Sequence, residues 1–95
     1  MNLTEANLEM IEAMGATGFN PEEIAEVLEL PAEEFLSVFS HKHSDAYKRY
    51  RKGFLFAQLA LRQRIFKDAG FGSSPAQTLG KKIMDDCEYK LNSYV

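Results

Sequence analysis

Apolar residues recur along this chain at the three-to-four-residue spacing of an α-helix, and no stretch shows the period-two alternation of a half-buried β-strand. Helix starts are marked by capping residues, by prolines near the first helical position and by capping-box partners, at Thr4, Asn20-Pro21-Glu22-Glu23 and Ser74-Pro75-Ala76-Gln77. The pattern therefore predicts an all-α protein.

These signals predict five helices. The expected boundaries are about Thr4 to Met14, Asn20 to Leu30-Pro31, a start at about Ala32, Ser44-Asp45 to about Ala69, and a last helix that opens with Ser74 as its cap. Gly15 and Gly18 are expected to end the first helix. Gly53 lies inside the long fourth helix, where Gly costs about 1 kcal/mol relative to Ala, so it predicts a close helix crossing or a bend.

The length of 95 residues allows one domain and excludes large catalytic architectures such as an α/β barrel. One Cys excludes an internal disulfide framework and fits a reducing compartment. No apolar run reaches the ~18 residues of a membrane span, and the first residues lack the layout of a signal peptide. We therefore expect a cytoplasmic protein with a single helical domain over residues 1–95.

Charge is strongly segregated along the chain, although the formal net charge is only −3. Residues 1–40 contain nine Glu and no Lys or Arg, whereas residues 41–69 contain eight Lys or Arg and two Asp. Residues 70–95 contain three of each sign. The acidic total argues against nucleic acid as a partner, but a basic block confined to one stretch reopens that function.

The segment from Phe19 to Phe39 has the pattern of a helix-turn-helix. A capped helix carries the small residue Ala25, which allows a tight crossing, and a short turn leads to a second helix with Phe35 facing inward. The turn carries Glu29 where Gly is frequent. The pattern also fits an ordinary pair of short helices in a bundle. Residues 1–40 form the helix-turn-helix part on this interpretation, and residues 44–95 form an assembly part.

A resemblance to the small subunit of tailed-phage and prophage terminases is carried by two consecutive runs, GFNPEEIAEVLELPAEEFLSVF and HKHSDAYKRYRKGFLFAQLALRQRIFKDAGFGSSPAQTLGKKIMDD. The shared order is a helix-turn-helix of the form G-x-x-x-x-x-I-A-x-x-L, a short polar hinge, a long helix with a central Gly, a Gly-containing break and a last helix. The last helix starts near a step of a small residue, Pro and Ala. The resemblance implies a non-catalytic adaptor in a bacterial host cell, encoded by a phage or prophage. Such a protein binds double-stranded DNA as a homo-oligomer and presents it to a large ATPase and nuclease subunit. The chain departs from that family in its short C-terminal segment, which leaves docking to a large subunit open.

The densest basic cluster follows the helix-turn-helix and is interleaved with Tyr47 and Tyr50. The candidate phosphate contacts are Lys42, Lys48, Arg49, Arg51 and Lys52. The third helix begins with carboxylates that repel phosphates, so its neutral candidates are Ser37 and Ser40. The alternative is a solvated basic face that pairs with the acidic first half of the chain.

The fourth helix carries more apolar residues than one packed face requires, which predicts a contact with a second copy. The candidate interface residues are Phe54, Leu55, Leu59 and Phe66. His41 and His43 lack a third ligand, so no metal is expected, and Cys87 is interpreted as a small hydrophobic residue. No cofactor, catalytic residue or membrane partner is predicted.

Two other functions fit the same residues. A dimeric helix-turn-helix transcription regulator predicts affinity for a two-fold symmetric operator. A protein-interaction module that uses the acidic N-terminal half predicts no salt-dependent affinity for DNA.

Overall fold

The computed structural model describes all 95 residues, of which 78% lie in helices, and it contains no β-strand. The helices are α1 (Glu5–Ala16), α2 (Pro21–Val27), α3 (Ala32–Phe39), α4 (Asp45–Gly70) and α5 (Ser74–Leu91), followed by a 3₁₀ turn (Asn92–Tyr94). The all-α prediction is confirmed, including the long fourth helix and the C-terminal helix. None of the helices combines the length and the hydrophobicity that a membrane span requires.

Local capping explains where the helices begin. Thr4 and Asn20 each accept a hydrogen bond from the backbone N–H three residues later, and the side chains of Asn7 and Glu23 accept from the cap backbone in return. At α5 the cap is Ser73, which accepts from the backbone N–H of Ala76. The predicted cap at Ser74 was one residue late, because two adjacent serines compete for that position.

The chain divides into two compact units, Met1–Gln58 and Leu59–Val95, and the boundary falls inside α4. The first unit contains the hydrophobic core. Its three largest fully buried side chains are Ile11, Ile24 and Phe35, which come from α1, α2 and α3. Burying a side chain of this size contributes about 1.5–3 kcal/mol. The helix-turn-helix segment is therefore fixed by a core that it shares with α1.

Two glycines let α1 and the first half of α4 cross at backbone distance. A Cβ on Gly53 would meet the backbone of Glu12, and a Cβ on Gly15 would meet the backbone of Tyr50. Of the two interpretations of Gly53, the structure has the close crossing. Gly15 lies within α1 and does not end it, contrary to prediction. The helix ends at Ala16 with Thr17 as its cap, and Gly18 then has a φ of +85°, which suits a residue without a side chain.

The second unit contains the last part of α4 and the whole of α5. Within it, Gly80 lies against the ring of Phe66, so that a Cβ on Gly80 would sit 3.1 Å from the ring. Ala76 is the only buried hydrophobic residue of this unit. Its larger apolar side chains remain exposed or half-buried. The second unit thus has almost no core of its own.

Candidate nucleic-acid interface

The turn between α2 and α3 has the hydrogen bonds of a Schellman motif. Leu30 donates its backbone N–H to the carbonyl of Ala25 at 2.9 Å, and Glu29 donates to the carbonyl of Glu26 at 3.3 Å. Glu29 has a φ of +55° and is the only residue other than Gly with a positive φ. The acidic residue therefore occupies the left-handed position that Gly usually fills, and the turn keeps its geometry despite the unusual residue.

The outer surface of α3 is acidic and offers few groups to a nucleic acid. Glu33 and Glu34 are exposed in its first turn, and Glu34 lies 3.7 Å from the N-terminal ammonium of Met1. The hydroxyl of Ser40 donates to the backbone carbonyl of Ser37 at 2.7 Å. Of the two serines proposed for DNA contact, only Ser37 has an exposed hydroxyl without a hydrogen bond inside the chain.

Two cations of the predicted basic cluster are held by carboxylates of α1. Arg49 binds Glu5 Oε1 through Nη1 at 2.9 Å and Glu12 Oε1 through Nε at 3.3 Å. Lys52 Nζ lies 3.6 Å from the same oxygen of Glu12. The hydrogen bond to Glu5 raises the pKa of the Arg49 guanidinium above its ordinary value, so this group stays charged. Arg49 and Lys52 thus link α4 to α1 beside the glycine crossing.

The other three cations have no ionic partner within the chain. Lys42, Lys48 and Arg51 are exposed and form no salt bridge. The guanidinium of Arg51 lies 5.1 Å from the centre of the Phe54 ring, a cation–π contact that leaves its N–H donors available. These three residues are the part of the predicted cluster that can bind a phosphate without breaking an internal ion pair.

The two tyrosines of the cluster face the core, not a ligand. The Phe39 ring makes edge contacts with Tyr47 and Tyr50, with ring centres 5.6 and 5.2 Å apart. The Tyr50 hydroxyl donates to the backbone carbonyl of Phe19 at 2.7 Å. Both rings therefore fix α4 against α3, and the Tyr50 hydroxyl also ties α4 to the loop between α1 and α2.

The predicted interface residues differ in exposure. Leu55 and Leu59 are each 50% exposed, whereas Phe54 is half-buried beneath Arg51. Phe66 packs against Gly80 in the second unit. Sequence reasoning missed Phe56, which is the most exposed large apolar residue of α4, at 61%. Its position beside Leu55, a predicted interface residue, was the signal that could have found it.

Other candidate ligands are scattered. His41 and His43 are exposed in the polar break before α4, and Cys87 is exposed on α5. Groups of three or more His, Cys, Asp or Glu with the spacing of a metal site do not occur in the chain.

The chain was compared with protein-family models, with curated proteins and with solved structures. It matches none of them. The resemblance to terminase small subunits therefore remains a prediction from the residues.

Proposed function

We propose that this chain is a non-catalytic protein that binds double-stranded DNA as a homo-oligomer. Its role would be that of a terminase small subunit, an adaptor that recognises phage DNA for packaging and delivers it to a large ATPase and nuclease subunit. The observation that carries the proposal is the set of exposed cations without internal partners directly after a helix-turn-helix, namely Lys42, Lys48 and Arg51.

The internal ion pairs narrow the phosphate contacts from five residues to three. Arg49 is bonded to two carboxylates, and a phosphate that approached it would also meet the negative charge of Glu5 and Glu12. Lys52 shares Glu12. Lys42, Lys48 and Arg51 carry no such penalty, and each phosphate contact contributes about 0.9 units to the slope of log affinity against log salt.

The mode of DNA contact follows from the acidity of α3. Carboxylates on a helix that enters the major groove repel phosphates and accept hydrogen bonds only from cytosine among the base edges. The exposed Glu33 and Glu34 therefore disfavour sequence reading by the first turn of α3. We expect affinity to come mainly from phosphates, with Ser37 as the neutral contact of this helix.

Binding of a short duplex across a salt series tests the proposal. The paired substitutions Lys48→Ala and Arg51→Ala should weaken binding on all sequences and reduce the salt slope by about 1.8 units. Arg62→Ala with Lys82→Ala is the matched control, because these cations are exposed and unpaired but belong to the other unit. A slope that is unchanged by the first pair, or changed equally by both pairs, would exclude Lys48 and Arg51 as phosphate contacts.

One observation favours a second candidate, a protein-interaction module. The exposed surfaces of α2 and α3 carry several carboxylates and no Lys or Arg, a pattern that suits a basic protein segment. Such a module predicts no salt-dependent affinity for DNA at any concentration of salt. The same titration therefore separates the two functions, and the mass of the free protein separates a dimeric regulator from a larger adaptor.

A further inference from the structure

One face of α5 is formed by residues spaced four, three, four and three apart, which lie on the same side of a helix. The face consists of Gln77, Lys81, Met84, Glu88 and Leu91. All five residues are exposed, and the two apolar members, Met84 and Leu91, are 58% and 57% exposed. The buried residues of α5, Ala76 and Gly80, border this face, because Gly80 and Met84 are four residues apart, and Lys81 and Glu88 lie on its far edge.

The second unit needs additional burial to be stable. Fewer than about 40 residues seldom form a sufficient core without a disulfide, a metal or another chain. The unit covers residues 59–95, has no disulfide, and buries one small apolar side chain, Ala76. A partner that covers Met84 and Leu91 supplies the burial that the unit lacks.

The charges on the α5 face are complementary to those on the α5 face of a second, antiparallel copy. Lys81 precedes Met84 by three residues and Glu88 follows it by four. Two copies that pair antiparallel around Met84 place Lys81 opposite the partner's Glu88, and this contact occurs twice by symmetry. Parallel pairing would instead place each charge opposite its own kind, which is destabilising.

The ion pairs inside the chain leave this contact available. Glu88 forms no salt bridge, and Lys81 makes an exposed contact of 3.4 Å with Asp85 one turn later. Exposed pairs of this type contribute little and exchange readily. Lys81 can therefore turn to a partner's carboxylate without loss of a buried interaction.

We propose that a second copy of this chain covers the α5 face, with the two α5 helices antiparallel and Met84 at the two-fold axis. This inference depends on the self-association in the proposed function and names its surface. The proposed DNA contacts lie in the other unit, so DNA binding and the α5 contact can be disproved independently of each other.

Charge reversal tests the pairing. Lys81→Glu and Glu88→Lys should each lower the mass measured by light scattering about twofold, because each places like charges opposite each other. An equal mixture of the two variants should recover the wild-type mass, since in the mixed pair one contact joins Glu at 81 to Lys at 88 and the other joins Lys81 to Glu88. Lys82→Glu makes the same charge change on the opposite side of α5 and should leave the mass unchanged.

Helicity by circular dichroism confirms that each variant is folded. Recovery in the mixture supports the antiparallel α5 contact, because only opposite residues can complement each other. A monomeric wild type overturns both the surface and the self-association of the proposed function. An associated wild type whose mass the reversals do not change, or whose variants do not recover on mixing, overturns the surface alone. The DNA titration of Lys48 and Arg51 is unaffected by either result.

Discussion

Replacing Gly53 with Ala should destabilise the protein even though Ala is the better helix former. In an open helix the change gains about 1 kcal/mol. In α4 the new Cβ would lie 2.8 Å from the carbonyl carbon of Glu12, where ordinary contact of such an atom begins at 3.4 Å, and closer still to the carbonyl oxygen. The obstacle is backbone, which cannot turn aside as a side chain can.

The helices must then separate, and that movement also stretches the ion pairs that Glu12 makes with Arg49 and Lys52. Overpacking of a well-packed contact costs about 1–3 kcal/mol. Because the obstacle is backbone, we take the upper end of that range, about 3 kcal/mol. Subtracting the helix-propensity gain of about 1 kcal/mol leaves an expected net loss of about 2 kcal/mol in the free energy of unfolding. For a chain of this size the loss lowers Tm by about 8–16 °C.

Thermal denaturation followed by circular dichroism measures the effect, and Gly70→Ala is the matched control. Gly70 ends the same helix, and a Cβ there would have nothing within 4 Å. The control should raise Tm slightly, because only the helix propensity changes. If Gly53→Ala raises Tm as much as Gly70→Ala, the backbone crossing of α1 and α4 is refuted.

Three further predictions concern the first unit. Glu29→Gly should raise the free energy of unfolding by about 0.5–1 kcal/mol, because Gly adopts the left-handed backbone of this turn without strain. The control Glu9→Gly, inside α1, should lower the free energy of unfolding by about 1 kcal/mol, and equal losses for the two variants in urea denaturation would contradict the turn geometry. Tyr50→Phe should lower the free energy of unfolding by about 1 kcal/mol in the same assay, because the hydrogen bond to the Phe19 carbonyl is lost. The control Tyr89→Phe, at an exposed site, should leave the free energy of unfolding unchanged. Arg49→Ala should lower Tm more than Lys48→Ala, because only the former removes ion pairs, those that Arg49 makes with Glu5 and Glu12 of α1. Equal shifts in Tm would mean that these ion pairs contribute nothing to stability.

Local signals predicted most of the fold. The Asn20-Pro21-Glu22-Glu23 start is visible in the sequence because its hydrogen bonds join residues three apart, and the structure has the predicted capping box. Gly15 was misinterpreted because the local sequence does not distinguish a Gly that ends a helix from a Gly at which two helices cross. Only the proximity of Tyr50, far along the chain, distinguishes them.

The site was less predictable than the fold. The ion pairs of Arg49 join residues 37 and 44 positions apart, and no local pattern encodes such a distance. The sequence showed a basic cluster and an acidic first helix and left open whether they pair. The structure pairs part of the cluster with α1, and that partition separates Arg49 and Lys52 from the cations that remain open to a ligand.

The glycine crossing has a consequence for how this sequence can vary. Gly15 and Gly53 do not face each other, and each meets the main chain of the opposite helix. Contacts between two side chains can be conserved through compensating changes in size, but the main chain cannot become smaller to make room for a larger residue at either Gly. Relatives that keep this crossing should therefore show glycine at both positions without covariation, and a relative with a larger residue at either one should pack α1 differently.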